Sequence, residues 1–328
     1  VMAASLLGPV RANLKLTAND IPLALRLAVG NFAGSKAFPV TAELQTLSQP
    51  AKLLFSGVST GLSSGVRLDG TGSFEFGTTK TEDGQKPKAP LRIESGVTVG
   101  DDTATFRNLV VAMAGTTLKG NAQAQWRKRP SVDVSLDGEA LTLDPLADRI
   151  GEFLSGSKVP FGSFATLPMP EGVDARANVK VGGLLIHDVL VRDASLSLAL
   201  DDGTLSIERA AGDIGGGTQL ELSGALTHGA SGGRFYGKLK ATSRNMGALA
   251  SWLESMGEVP GAKEEQSVPP ALAKEPNRTF SVSSKVQLTE DNLAFNGLAA
   301  AYALTPDAAD ISGDIAFNSR EGRLVLRS

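Results

Sequence analysis

Apolar and polar residues alternate one by one along much of this 328-residue chain. In the segment SLSLAL, Leu196, Leu198 and Leu200 take every second position, with Ser195, Ser197 and Ala199 between them. A period of two sends successive side chains to opposite faces, so the segment predicts a half-buried β-strand. Asp201-Asp202-Gly203 follows as a turn, and Leu205 and Ile207 resume the apolar face, which predicts a hairpin. SVDVSLDGEALTL repeats the theme, with Val132, Val134 and Leu136 set against Asp133, Ser135 and Asp137. So do TQLELSG (Leu220, Leu222), GKLKATS (Leu239), FSVSSKVQL (Phe280, Val282) and GRLVLRS (Leu324, Leu326). The intervening residues are mostly Ser, Asp, Thr, Lys and Glu, so each strand has one wet and one dry face. The expected fold is mainly β, with repetitive antiparallel strands forming a long curved sheet or groove.

Two stretches break this rhythm with helical spacing. Asp144-Pro145 can open a helix, because Asp caps free N–H groups and Pro is tolerated at the first helical position. Leu146, Ile150, Phe153 and Leu154 then form a stripe, and the helix is expected over about 144–155, ending before Gly156. Leu249, Leu253 and Met256 predict a second over about 246–257. A shift of about 103 positions superposes Val132 on Phe235, Leu136 on Leu239, Leu146 on Leu249, Ile150 on Leu253 and Phe153 on Met256. A second echo joins ATFRNL, around Phe106, to LAFNGL, around Phe295, each followed by a Gly-led strand from Gly120 or Gly313. The expected organisation is a strand-rich part over 1–100, a central region of helix-ended units over 101–257, a polar loop over 258–278, and the start of a further repeat over 279–328. A second polar loop is expected around 79–90, and the Pro-bearing stretch 159–172 is a further connection. The chain starts at Val1 and the last repeat stops at Ser328, so a piece of a longer protein is expected.

Composition sharpens this picture. With 37 glycines and only 5% aromatic residues, the chain suits many short strands and turns over thin or shared cores. A formal net charge of -3 offers no basic excess for a nucleic-acid backbone, so no nucleic-acid partner is expected. There is no cysteine, which excludes disulfides and cysteine-ligated zinc. No apolar run approaches the ~18 residues that span a bilayer as a helix.

Candidate chemistry is sparse. His187 falls on an expected strand and His228 in an expected turn, with no third ligand at a metal-like spacing. The glycines of GDIGGGTQ (Gly212, Gly215, Gly216, Gly217) lack the Lys-Ser/Thr and the helix of a phosphate loop, so a bulge or tight turn is expected there. Asp101-Asp102 and Asp201-Asp202 are paired carboxylates at expected turns, which Asp favours through its own side-chain hydrogen bonds. No catalytic residue, metal or cofactor is expected. What remains is the apolar strand face itself, as packed core or as the lining of a lipid-holding groove.

Residues 173–229, VDARANVKVGGLLIHDVLVRDASLSLALDDGTLSIERAAGDIGGGTQLELSGALTHG, resemble the C-terminal part of AsmA-family proteins. The resemblance rests on the strand entry from Gly183 to Val189, the hairpin split by Asp202-Gly203, and the Gly-rich strand leading to Leu222-Ser223-Gly224. The strand-then-helix endings at 136–154 and 239–256 also look like that family. The likeness extends over roughly 100–328. It implies a Gram-negative envelope protein in the periplasm, anchored in the inner membrane by an N-terminal helix outside this sequence. It further implies a β-groove that passes phospholipids between inner and outer membrane in outer-membrane biogenesis, without catalysis and with other envelope proteins as possible partners. The lipid-facing positions would be Val132, Val134, Leu136, Leu196, Leu198, Leu200, Leu205, Ile207, Leu220 and Leu222. A structural or adhesive secreted β-repeat protein without lipid cargo is the alternative. A glycan-cleaving β-helix would need clustered carboxylates that the sequence does not place together.

Overall fold

A computed structural model describes residues 9–18, 21–31, 36–47, 50–60, 65–77, 90–113, 115–127, 129–143, 172–186, 189–229, 232–245, 280–289, 292–303, 308–318 and 323–327. Among these, the fold is mainly β, with eighteen strands. The expected helices at 144–155 and 246–257, and the loops at 79–89, 159–171 and 258–278, lie outside the described residues. The chain divides into two compact units: residues 1–138 with 152–157, and residues 139–151 with 158–328.

The first unit is a meander of β1 (Val10–Ala18), β2 (Ile21–Val29), β3 (Ala37–Thr46), β4 (Ala51–Thr60), β5 (Arg67–Phe76), β6 (Leu91–Val99), β7 (Thr103–Met113), β8 (Thr116–Gln125) and most of β9 (Ser131–Thr142). Each strand pairs antiparallel with the next in the chain. The second unit repeats this plan in β10 (Asp174–Ile186), β11 (Val189–Asp201), β12 (Thr204–Ile214), β13 (Thr218–Gly229), β14 (Gly232–Ser243), β15 (Phe280–Leu288), β16 (Asn292–Ala303), β17 (Ala308–Asn318) and β18 (Arg323–Arg327). Glu139–Thr142, the close of β9, belongs to this second unit, and Gly182 of β10 lies against the Glu139 carbonyl.

The turns follow from their residues. Asp202 and Gly203 both take positive φ, 48° and 77°, between paired Asp201 and Thr204. This is the two-residue turn whose twist matches a hairpin, and Asp-Gly tolerates it at low cost. Asp101 and Asp102 lie in the tight turn between β6 and β7, closed by the Gly100 N–H donating to the Thr103 carbonyl at 2.8 Å. Gly215–Gly217 form a short 3₁₀ turn between β12 and β13. One expectation is corrected: His228 lies within β13, paired with Gly233, and not in a turn. The glycines and serine around it read as a loop, but the ladder carries the strand on to Gly229.

Bulges keep the alternation in phase. In β7 the register shifts between Phe106 and Leu109, so Arg107 and Asn108 together oppose a single step of β8. Asn108 has φ 52°, a left-handed conformation that Asn accepts more readily than most residues. Its N–H donates to Asn121 Oδ1 of β8 at 3.3 Å. In β16 the register shifts between Phe295 and Leu298; Gly297 has φ 60°, and its N–H donates to Asp314 Oδ1 of β17 at 2.7 Å. The echo between ATFRNL and LAFNGL is therefore one bulge made twice. A third shift follows Arg192 in β11, where Asp193 has φ 47°. These three lie against a Gly-Asn or Gly-Asp pair on the next strand: Gly120-Asn121, Gly212-Asp213 and Gly313-Asp314. A fourth bulge, at Glu208-Arg209 of β12, stands opposite Ser223 of β13 and has no such pair.

Facing glycines bring strands together in both units. Gly57 of β4 is paired with Gly70 of β5, and a methyl added at Gly57 would stand 2.3 Å from the Asp69 carbonyl oxygen. Gly224 of β13 is paired with Gly237 of β14, and a methyl at Gly224 would stand 2.4 Å from the Tyr236 oxygen and 2.6 Å from the Phe235 ring. We expect Gly57→Ala and Gly224→Ala each to cost about 1–3 kcal/mol in urea unfolding, because backbone must move to admit the methyl. Gly96→Ala, whose methyl meets only the Arg107 oxygen at 3.5 Å, should be neutral or stabilising by up to ~1 kcal/mol. Equal effects at all three positions would refute the close approach. Removing the bulge acceptors should cost about 0.5–1.5 kcal/mol for Asn121→Ala and about 1.5–3 for Asp314→Ala, whose carboxylate is charged. Amide exchange at Asn108 and Gly297 should speed up accordingly; unchanged exchange would show that these bonds do not hold the bulges.

Candidate functional site: the apolar sheet face

Residues directly opposite in an antiparallel ladder share a face, so the registers trace rows across each unit. In the first unit one row runs Leu14, Leu25, Leu44, Leu53, Phe74, Ile93, Val111, Leu118, Gly138. Another on the same face runs Val10, Val29, Val40, Gly57, Gly70, Val97, Phe106, Ala122, Val134. In the second unit the register positions of one row hold Ala175, Leu200, Leu205, Leu226, Phe235, Leu288, Leu293, Phe317, Leu324. Its neighbour holds Ala177, Leu198, Ile207, Gly224, Gly237, Val286, Phe295, Ile315, Leu326. None of these four rows contains a polar side chain. The order Val40, Gly57, Gly70, Val97, Phe106 in the first unit matches Ile207, Gly224, Gly237, Val286, Phe295 nine strands later.

The opposite face is polar. In the first unit a row there runs Asn13, Arg26, Glu43, Leu54, Ser73, Glu94, Val110, Lys119, Asp137. Lys52 and Arg26 approach Glu43 at 3.0 and 3.6 Å. The Lys52 hydrogen bond chiefly holds the Glu43 carboxyl below its ordinary value. Arg67 donates to Asp69 at 2.7 Å, and Thr98, itself accepting from Arg107 at 3.0 Å, donates to Asp69 at 2.7 Å. These bonds, Arg67 first, hold Asp69 low as well. Both residues are half-buried and their carboxylates are ionised at neutral pH, so what they add is present above the ordinary carboxylate range and fades as pH falls below it. Two concavities, of about 350 and 640 Å³, open beside the bulges at Asp193 and Asn108, and are lined chiefly by residues of this polar face.

Burial on the apolar face is uneven. Phe38, Val40, Phe76, Val97, Leu109, Met113 and Leu118 are buried in the first unit. Yet Leu14, Leu16 and Leu53 on the same face remain 40%, 45% and 45% exposed. In the second unit Leu226, Phe235 and Val286 form a buried cluster packed by Leu205, Ile207, Leu222, Leu239 and Phe295, while Leu288 beside it is 38% exposed. An ordinary core buries such residues far more completely.

The ten positions named from the sequence divide between the units. Val132, Val134 and Leu136 stand on β9 opposite Ala124, Ala122 and Gly120, and Val132 is 37% exposed. Leu196, Leu198, Leu200, Leu205, Ile207, Leu220 and Leu222 come together on β11, β12 and β13 of the second unit. The sequence reading passed over the rows through Leu14, Leu25, Leu44, Leu53, Phe74 and Ile93, whose signal was the same alternation in LKL, LALRL and LRIES. His187 lies outside the described residues. No group of three or more His, Cys, Asp or Glu able to hold a metal occurs among the described residues. Comparison of the chain with family models, with curated proteins and with solved structures finds no match.

The uneven burial makes a contrast that can be measured. Leu53→Asn should cost under about 1 kcal/mol, because the side chain is already half in water, whereas Leu118→Asn, at 3% exposure, should cost about 2–5 kcal/mol. Similar large losses at both positions would mean that Leu53 lies in a closed core.

Proposed function

We propose that each apolar face is a trough that shelters the acyl chains of phospholipids, in the manner of an AsmA-like envelope protein. The observation that carries this reading is the run of apolar rows across nine strands, with members more than a third exposed. A surface of that size is normally covered by a partner, a ligand or closure of the sheet. In each unit, β1 does not pair with β9, nor β10 with β18, among the described residues.

The energetics suit the role. Each CH₂ withdrawn from water is worth about 0.8 kcal/mol, so a two-chain lipid alone in water costs on the order of 20 kcal/mol or more. An apolar strip removes most of that barrier by contact alone, with no bond made or broken. Nine strands at about 4.8 Å spacing give a strip on the order of 40 Å long. One leaflet's acyl layer is about half of a ~30 Å hydrocarbon core, so one unit has length for two chains end to end. In this reading the protein stands in the periplasm, is anchored in the inner membrane by a segment outside this sequence, and supports outer-membrane biogenesis.

Chain purified from cells, extracted with organic solvent and examined by mass spectrometry should carry phospholipid. Leu44→Asp with Leu205→Asp, one charge in each face, should lower the lipid recovered severalfold while the strand signal in circular dichroism persists. Protein that folds, yet never yields lipid from native or reconstituted membranes, would end the proposal.

A further inference from the structure

The apolar face of the first unit is not equally open along its length. At β7 and β8 it is closed, with Leu109, Met113 and Leu118 buried. At β1 and β2 it is open: Leu14, Leu16 and Ile21 are 40%, 45% and 38% exposed. Among the described residues of this unit β1 pairs with β2 alone, so its other side is an edge. Asn13, Leu14, Lys15, Leu16 and Thr17 are exposed in succession, which lays open both faces of the strand at once.

Charge is one-sided there too. Neither β1 nor β2 holds an acidic residue, while Arg11, Lys15 and Arg26 stand on the polar face. Arg26 leans on Glu43 at 3.6 Å, which Lys52 already approaches at 3.0 Å. Arg11 and Lys15 are exposed, lie opposite the small Ala28 and Ala24, and make no ion pair among the described residues. Elsewhere on this face cations meet carboxylates, as Arg67 meets Asp69 and Arg92 meets Glu75. Two uncompensated cations therefore share an edge strand with two exposed leucines, and Lys15 stands between those leucines in the chain.

We propose that β1 is where the first unit takes hold of a phospholipid, and that Arg11 and Lys15 favour one whose headgroup bears net negative charge. The acyl chains lie on the dry face against Leu14 and Leu16. The headgroup reaches round the free edge to the two cations, whose long apolar stems let their charged ends swing to the rim. A zwitterionic headgroup carries an ammonium that offsets its own phosphate, so it gains less from the same pair. This inference rests on the reading of the apolar face as a lipid trough, and adds to it the end at which cargo enters and the class of headgroup.

The whole chain, stripped of lipid, is incubated with vesicles holding equal amounts of phosphatidylglycerol and phosphatidylethanolamine with the same acyl chains, then separated from them and extracted. Phosphatidylglycerol should be enriched in the bound lipid roughly three- to tenfold, the scale of two exposed ion pairs. Arg11→Gln with Lys15→Gln should return the bound ratio to that of the vesicles while most of the bound lipid remains. Lys119→Gln, which removes an exposed cation at the closed end, should leave the enrichment intact. An even ratio in the unmodified chain, an undiminished enrichment in the double variant, or an equal loss in Lys119→Gln overturns the selection at β1 and leaves the trough standing. If the double variant does not fold, Lys15→Gln alone should lower the enrichment about twofold, and no change overturns the proposal. Protein that binds the vesicles yet carries no lipid away overturns both readings and marks β1 as a membrane-docking edge.

Discussion

The constraint on which everything else rests is parity. A strand with one dry face cannot slip by a single residue, because every side chain would change sides at once. Across eight strands that condition must hold seven times in succession for a row such as Leu14 to Leu118 to stay apolar. The cross-strand hydrogen bonds are nearly indifferent to which face is which. The burial of the leucines, valines and phenylalanines selects the register, and the ladder then locks it.

The bulges belong to the same constraint. Where two outward residues follow each other, as at Arg107-Asn108 or Asn296-Gly297, strict alternation would turn the next leucine outward. The left-handed residue absorbs the extra step and returns Leu109 or Leu298 to the apolar row. The amide exposed by the bend finds its acceptor on the following strand, from Asn121 or Asp314. The glycine before each acceptor leaves room beside the inserted residue. Asn121 and Asp314, placed on the polar face, thus serve the integrity of the apolar one.

The sequence made the alternation legible because it is local: Leu196, Leu198 and Leu200 declare their common face without reference to any other strand. The Asp202-Gly203 turn was legible for the same reason. The rows were not, since which leucine stands opposite which is settled by the loops and bulges between them. The kinship of Phe106 and Phe295 showed as an echo, but a phase slip looks like a lapse in the pattern until its partner strand is known. The third bulge, at Asp193, escaped notice because Val191 and Ala194 flank it in place of Phe and Leu. His228 was misplaced because Gly229, Gly232 and Gly233 suggest a loop, although the paired strands run almost to the hairpin tip.

The meander has a kinetic consequence. Each strand pairs with the one synthesised just before it, so contacts within a unit span short stretches of chain except across the longest connections. Low contact order of this kind favours fast, local folding. Such a ladder can grow as a zipper from its first hairpin, adding one strand at a time, with stability accruing through nearest neighbours as in a linear repeat array. It can also come apart from an end without loss of the middle. A fold of this kind can be lengthened or shortened by whole hairpins without redesign of what remains.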